Sequence, residues 1–331
     1  MKAKNGKIWN FIGLFFVVLA GFAMIFLIGE VTASPEKNPQ NPKEENRISG
    51  ASFGSGIGIN EDDPTSNPNP SSIQKIAEET SVPEEKIRNA IEPDEEVKSA
   101  LMIGDQTVID QAMLHQYKRL NTETVGIIRI NNTVLNHPLM QSASQENFYL
   151  NHDVLKRKNG NGTPFLTLAS DLSKESGNNV IYGHNIRYGR KDVFEPLSGY
   201  ENLAFYKEHP TVEIVTEGKT ESYLVFAYYL IDTADEDAFV YWISPSWDDE
   251  AEFEEYMAEV ERRNWLDTKI PYSIADRYIT LSACSVELAH SGTNRMVVMA
   301  RRKRDGEYPI LYAQNATLKA SPYLPQKLRN D

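Results

Sequence analysis

The chain has 331 residues, is 40% hydrophobic and 10% aromatic, and carries 34 basic against 47 acidic side chains, a net charge of −13. That length and apolar content suffice for one sizeable core or two small ones. The acidic balance argues against a nucleic-acid binder, whose phosphate partner requires a basic footprint, and a single cysteine rules out an internal disulfide.

Lys2, Lys4 and Lys7 precede an uncharged run from Ile8 to Gly29 that contains Phe11, Phe15, Phe16, Leu19, Phe22, Ile25, Phe26 and Leu27. At a rise of about 1.5 Å per residue, the run is long enough to cross a hydrocarbon core of about 30 Å. A cleaved signal peptide is the competing reading, with Ala33-Ser34 as its cleavage site, but its apolar region should be shorter. Residues 1–30 are therefore expected to be a cytoplasmic tip and a transmembrane signal-anchor. The lysines set the N-terminus in the cytoplasm and everything after residue 30 on the extracellular face of the plasma membrane.

From Ser34 to Ser72 the composition turns to Pro, Asn, Ser, Gly and Glu. Such a segment buries too little apolar surface to offset chain entropy. Residues 73–104 carry short helical signals interrupted by Pro83 and Pro93, so 31–105 is expected to be a flexible extracellular stalk. The globular domain is set at 106–304. It opens with a helix whose Ile109, Ala112, Met113, Gln116, Tyr117 and Leu120 share one face. Strands are then predicted at Thr124 to Ile130, Val134 to Met140, Asn179 to Tyr182, Val212 to Val215, Tyr223 to Ile231, Tyr278 to Cys284 and Met296 to Arg301. Glu217-Gly218-Lys219 reads as a hairpin turn. A second helix has Ser246 as its cap, Asp248, Asp249 and Glu250 at its positive end, and a buried stripe of Phe253, Tyr256, Met257 and Val260. Many strands and few helices indicate a mainly β domain, a barrel or a sandwich decorated by helices. Residues 305–331 form a C-terminal extension.

Cys284 ends a strand, where the chain opens into a loop. A buried, inert thiol is the ordinary fate of a lone cysteine. Eleven residues later, at Arg295, the chain enters the next strand, and a strand–loop–strand return brings the two positions together. A fixed cation raises the thiolate fraction of a thiol and suits a developing oxyanion; a surface salt bridge is the plainer role for an arginine. Acyl transfer also needs a proton donor and acceptor, usually histidine. His184, in the strand-ending turn Gly183-His184-Asn185, is the first candidate among six. His115 and His209 read as packing or surface residues, His137 and His152 stay open, and His290 is the nearest rival because it lies in the Cys-to-Arg loop.

The stretches Val180-Ile181-Tyr182-Gly183-His184-Asn185, Ile279-Thr280-Leu281-Ser282-Ala283-Cys284 and Arg295-Met296-Val297-Val298-Met299-Ala300 resemble the three active-site segments of sortases, the cysteine transpeptidases of Gram-positive cell surfaces. The resemblance is closest to class B, since Thr124-Val125-Gly126-Ile127-Ile128, Phe148-Tyr149-Leu150-Asn151-His152-Asp153 and Phe205-Tyr206-Lys207-Glu208-His209-Pro210 follow that class in the same order. It spans residues 106–304. Two positions depart from the family: Ala283 stands where a Thr usually precedes the nucleophile, and Ile127 where a Trp usually follows the Val-Gly pair.

The resemblance implies a sortase-like closed β-barrel with a few helices. It also implies catalytic roles for His184, Cys284 and Arg295, and a peptide groove lined by Leu150, Tyr182, Ser282 and, less directly, Phe239. Cys284 would cleave a C-terminal sorting motif of a secreted protein through a thioacyl intermediate. The acyl group would pass to an amine of peptidoglycan or its lipid-linked precursor, or to a lysine of another protein if the enzyme assembles pili. A peptidase ending at water and a non-catalytic binding module are the remaining readings. No cofactor and no metal are expected: Asp232, Asp235, Glu236 and Asp237 lack calcium-loop spacing and read as a solvated acidic loop. Asn38-Pro39-Gln40-Asn41 resembles a class B cleavage motif, but it follows an N-terminal apolar run instead of preceding a C-terminal one, so chance occurrence in an Asn- and Pro-rich stalk is preferred.

Overall fold

The computed structural model of the chain describes residues 70–185, 193–242, 246–284 and 292–329. The expected membrane span at 8–29, the first part of the stalk and His290 lie outside them. Among the described residues no helix is long and apolar enough to cross a membrane.

Four helices come first: α1 (Pro70–Thr80), α2 (Glu84–Ile91), α3 (Glu95–Ile103) and α4 (Gln106–Leu120). The described part of the segment read as stalk is thus largely helical, with Ile73, Ile87, Ala90, Val97 and Ala100 buried. Helix α3 starts on Asp94, whose carboxylate accepts the Val97 N–H, and stops at Gly104, which takes a left-handed φ of 74°. Asp105 caps α4 by accepting from Thr107 and Val108 N–H, and the stripe from Ile109 to Leu120 is the face it buries. Asp110 ties α4 to the sheet through an ion pair with Arg129, at 2.5 Å.

Eight strands close into a barrel: β1 (Thr124–Arg129), β2 (Asn136–Met140), β3 (Phe165–Leu166), β4 (Gly177–Tyr182), β5 (Thr211–Thr216), β6 (Lys219–Asp232), β8 (Arg277–Cys284) and β9 (Asn294–Arg302). Their order around the barrel is β1-β2-β3-β4-β8-β9-β6-β5, with β5 pairing back to β1. Closure removes the exposed edges of an open sheet. Two neighbouring pairs, β2 with β3 and β4 with β8, run parallel; the others are antiparallel. The short strands β7 (Leu266–Asp267) and β10 (Thr317–Leu318) pair apart from the barrel.

Alternation along each strand makes two cores. Ile279, Leu281 and Ala283 of β8 and Met296, Val298 and Ala300 of β9 fill the barrel. Tyr278 of β8 and Val297 and Met299 of β9 face outward, under helix α6 (Glu250–Arg263) and the loop before it. The cap of α6 is Asp249, which accepts the Glu252 N–H. Ser246, the cap expected from sequence, is exposed three residues upstream; a capping oxygen must stand immediately before the first turn to meet its free N–H groups. Helix α5 (Leu203–Glu208) lies between β4 and β5, and α7 (Pro309–Asn315) and α8 (Gln326–Arg329) follow the barrel.

Candidate active site

The parallel pair β4/β8 brings together residues a hundred positions apart. It pairs Gly177 with Arg277 and continues in step to Tyr182 with Ser282. Beyond the strand, Gly183 N–H donates to the Ser282 carbonyl at 3.2 Å, so the two chains leave the sheet side by side. Carrying that register on by two residues sets His184 level with Cys284. On the other side, the antiparallel pair β8/β9 sets Cys284 opposite Arg295. Positions 278, 280 and 282 form the outward series of β8, and 295, 297 and 299 that of β9. Cys284 and Arg295 are thus cross-strand partners at one end of the barrel, and the turn that carries His184 leaves the sheet beside Ser282, two residues before Cys284.

Local packing fixes the histidine turn. A methyl group added at Gly183 would lie 2.7 Å from the Phe194 ring, so only glycine admits that ring here. Phe194 N–H in turn donates to the His184 carbonyl at 2.9 Å. Arg295 is 7% exposed, and its Nη1 donates to the Asn294 carbonyl at 2.8 Å. A guanidinium held this way is pre-oriented.

Tyr182 precedes this turn. Burial drives its phenol well above the ordinary value, with Tyr241 adding to the rise and the positive charge of Arg295 opposing it. The hydroxyl is therefore a neutral hydrogen-bond donor close to the arginine. Ser282 is fully buried, and its Oγ shares a 2.5 Å hydrogen bond with Tyr241 Oη. Tyr241 is held by a further chain of bonds: Tyr256 Oη donates to the Tyr241 carbonyl at 3.0 Å, Asn178 Nδ2 donates to Tyr256 Oη at 3.4 Å, and Thr280 Oγ1 donates to Asn178 Oδ1 at 2.8 Å. This ladder runs along the outward series of β8, from beneath α6 to the residue two short of Cys284.

Phe239 packs edge-on to Tyr256 at 5.0 Å and against Tyr229 at 6.4 Å, in the loop between β6 and α6. Leu150 is 6% exposed, in a 3-10 turn (Phe148–Asn151) of the β2–β3 connection. From the same connection, Glu146 accepts the Leu168 N–H at 2.9 Å and acts electrostatically on Tyr182. Burial pushes the Glu146 carboxyl up, with the Leu168 N–H pulling it back. Sequence reasoning read Tyr256 only as part of a helix's buried stripe and did not single out Tyr241 or Glu146. An aromatic pair after Phe239, Tyr241-Trp242, was the only available signal, and spacing does not say which ring faces the strand.

The other described histidines sit elsewhere. His115 bridges Glu96 and Glu217, His137 is buried in β2 opposite Ile128, His152 stacks on Phe148 at 4.0 Å, and His209 contacts the Asn131 carbonyl. Asp232 is not solvated as expected from sequence: it is 2% exposed and paired with Lys327 at 3.1 Å. Among the described residues no three His, Cys, Asp or Glu side chains group as metal ligands.

A family model described as "Sortase domain" matches residues 128–303. The sortase B of Staphylococcus aureus is 25% identical over 185 residues, covering 56% of this chain and 72% of that protein. The sortase B of Listeria monocytogenes is 28% identical over 188 residues, covering 57% and 73%. Among solved structures, the Staphylococcus aureus sortase B–substrate complex superposes with a TM-score of 0.54 at 21% identity, covering 70% of this chain and 98% of that one.

Proposed function

We propose, from the premise that this chain belongs to the sortase family and is a cysteine transpeptidase of the class B kind, that His184, Cys284 and Arg295 are its catalytic residues and a C-terminal sorting motif of secreted proteins is its substrate. One observation supports the assignment: β8 pairs Cys284 with Arg295, and the parallel register of β4 with β8, which ends at Tyr182 and Ser282, leads the His184 turn out of the sheet on the other side of β8.

In the first half-reaction the Cys284 sulfur attacks the carbonyl carbon of the scissile peptide bond, and the oxyanion forms against Arg295. The C–N bond breaks, and His184 delivers the proton that lets the amine depart. A thioacyl enzyme remains. In the second, an incoming amine attacks the thioester carbonyl, His184 takes its proton, and the Cys284 sulfur leaves with the bonding pair. Tyr182, Leu150 and Phe239 line the peptide groove, and Ser282, fully buried and hydrogen-bonded to Tyr241, braces it from beneath. The acceptor is an amine of peptidoglycan or its lipid-linked precursor. The apolar run at 8–29 behind three lysines supports a single-pass anchor in the plasma membrane, with the catalytic domain on the cell-wall face.

The full-length chain, incubated with a library of quenched pentapeptides and candidate amines, is expected to cleave particular motifs and to form an amide product when amine is present. Cys284→Ala abolishes turnover, and His184→Ala lowers it by about 10²–10⁴-fold. If His290→Ala abolishes turnover while His184→Ala does not, the base has been misassigned. Product that stays hydrolysed at every amine concentration makes the protein a peptidase instead.

A further inference from the structure

The family match ends at residue 303, yet the chain after it folds back along β7 and α6 to the loop that leaves β6. Strand β10 pairs with β7, Lys319 N–H donates to the Trp265 carbonyl at 2.8 Å, and Tyr323 N–H donates to the Arg262 carbonyl at 2.9 Å. The last described turn then meets the loop that leaves β6. That loop carries Asp232, Asp235, Glu236 and Asp237, four carboxylates in six residues, which repel one another unless something opposite neutralises them.

The C-terminal segment supplies the counter-charges and the geometry. Lys327 Nζ lies 3.1 Å from Asp232, and Gln326 N–H donates to Asp235 Oδ2 at 2.8 Å. Arg329 lies 3.5 Å from Asp237 and 3.9 Å from Asp235, and donates to Tyr323 Oη at 2.5 Å. Tyr323 Oη donates to the Asp237 carboxylate, and its ring is covered by the Arg262 guanidinium at 3.6 Å. Arg263, 4% exposed, donates to the Asp237 carbonyl at 2.9 Å and stands over the Phe239 ring at 5.5 Å. Leu328 packs on the barrel core between these polar anchors. The loop so held starts at Asp232, opposite the Asn294 that precedes Arg295, and runs on to Phe239 and Tyr241.

We infer that residues 323–329 are a strap that positions the β6–α6 loop as one wall of the peptide groove, with Tyr323, Lys327 and Arg329 as positioning residues that set how tightly the substrate peptide is held. The inference rests on reading that loop as groove wall. Direct contact with the reacting atoms is no part of the strap's role. Its contribution to binding is preorganisation, because a loop already ordered loses less entropy when peptide arrives. Its ion pairs are partly exposed, so salt weakens them.

The test compares the full-length chain with Lys327→Ala/Arg329→Ala, with its conservative counterpart Lys327→Arg/Arg329→Lys, and with a chain ending at Ser321, using an uncharged sorting peptide. For the alanine pair the expected result is a roughly five- to tenfold rise in KM at little changed kcat, the loss of two or three partly exposed pairs. The conservative pair keeps the wild-type KM. Raising salt to about 0.5 M raises KM in the wild type and leaves the alanine pair flat. Amide hydrogen exchange over residues 233–242 quickens in the alanine pair and in the shortened chain, a readout that needs no turnover. Unchanged exchange there, or a fall in kcat with KM intact, overturns the strap. Exchange that quickens as expected in a protein without Cys284-dependent cleavage keeps the strap's hold on the loop and refutes the functional reading beneath it.

Discussion

Replacing His137 with leucine should remove an acid-sensitive part of this protein's stability. The ring is 5% exposed inside β2, and Nδ1 is buried without a hydrogen-bond partner. Burial lowers its pKa from 6.5 to about 4, with a hydrogen bond to the Val134 backbone pulling slightly the other way. The unfolded chain therefore takes up a proton near pH 6.5, whereas the folded chain does not until about pH 4. Stability is complete above the upper value and falls as the pH drops through that window. Between about pH 7.5 and about pH 4.5 the difference in proton uptake amounts to roughly 2.5 kcal/mol. Urea denaturation of wild type and His137→Leu at those two pH values isolates it, because the carboxylates titrate in both chains and cancel in the comparison. The variant should lose roughly 2.5 kcal/mol less than wild type on acidification. If the two chains lose stability in parallel, the ring is hydrated or charged in the folded state and the burial argument fails.

Two further substitutions test how the site is held. Asp110→Ala strips Arg129 of a two-pronged partner at 2.5 and 2.9 Å, leaving a guanidinium only 12% exposed to Glu213 alone. It should cost about 3 kcal/mol in chemical denaturation, and a loss below about 1 kcal/mol would mean that α4 is not fastened to the barrel through this pair. Gly183→Ala pushes a methyl group into the Phe194 ring and so displaces the bond from Phe194 N–H to the His184 carbonyl. We expect about 1–3 kcal/mol of destabilisation and a fall in kcat of about 10²-fold from a misplaced imidazole; peptide cleavage at the wild-type rate contradicts the role given to this contact.

Much of the barrel was legible because each long strand alternates. The seven strands read from sequence all recur, with ends moved by a few residues, and the stripe of α4 was visible in its three-and-four spacing. The two-residue strand β3 was not, since Phe165-Leu166 is too short to show a period. Helix α6 was read correctly in its buried face but not in its cap. Several acidic and hydroxyl residues precede its first turn, and only the backbone path decides which oxygen reaches the free N–H groups. The helices at 84–103 were hidden by Pro83 and Pro93, which stand at helix starts, where the missing N–H costs nothing.

The sequence by itself determined the chemistry on offer: one cysteine, an arginine eleven residues on, a histidine at a strand end, an acidic net charge and an apolar N-terminal run. It also determined which faces of the strands are apolar, because burial needs only local periodicity. Tertiary structure alone decided that β4 and β8 run parallel in a common register, which makes neighbours of two residues separated by a hundred positions. It likewise decided that Tyr241 meets Ser282 and that the last residues return to the acidic loop. Such contacts depend on how the chain closes in space, and no period along the sequence encodes them.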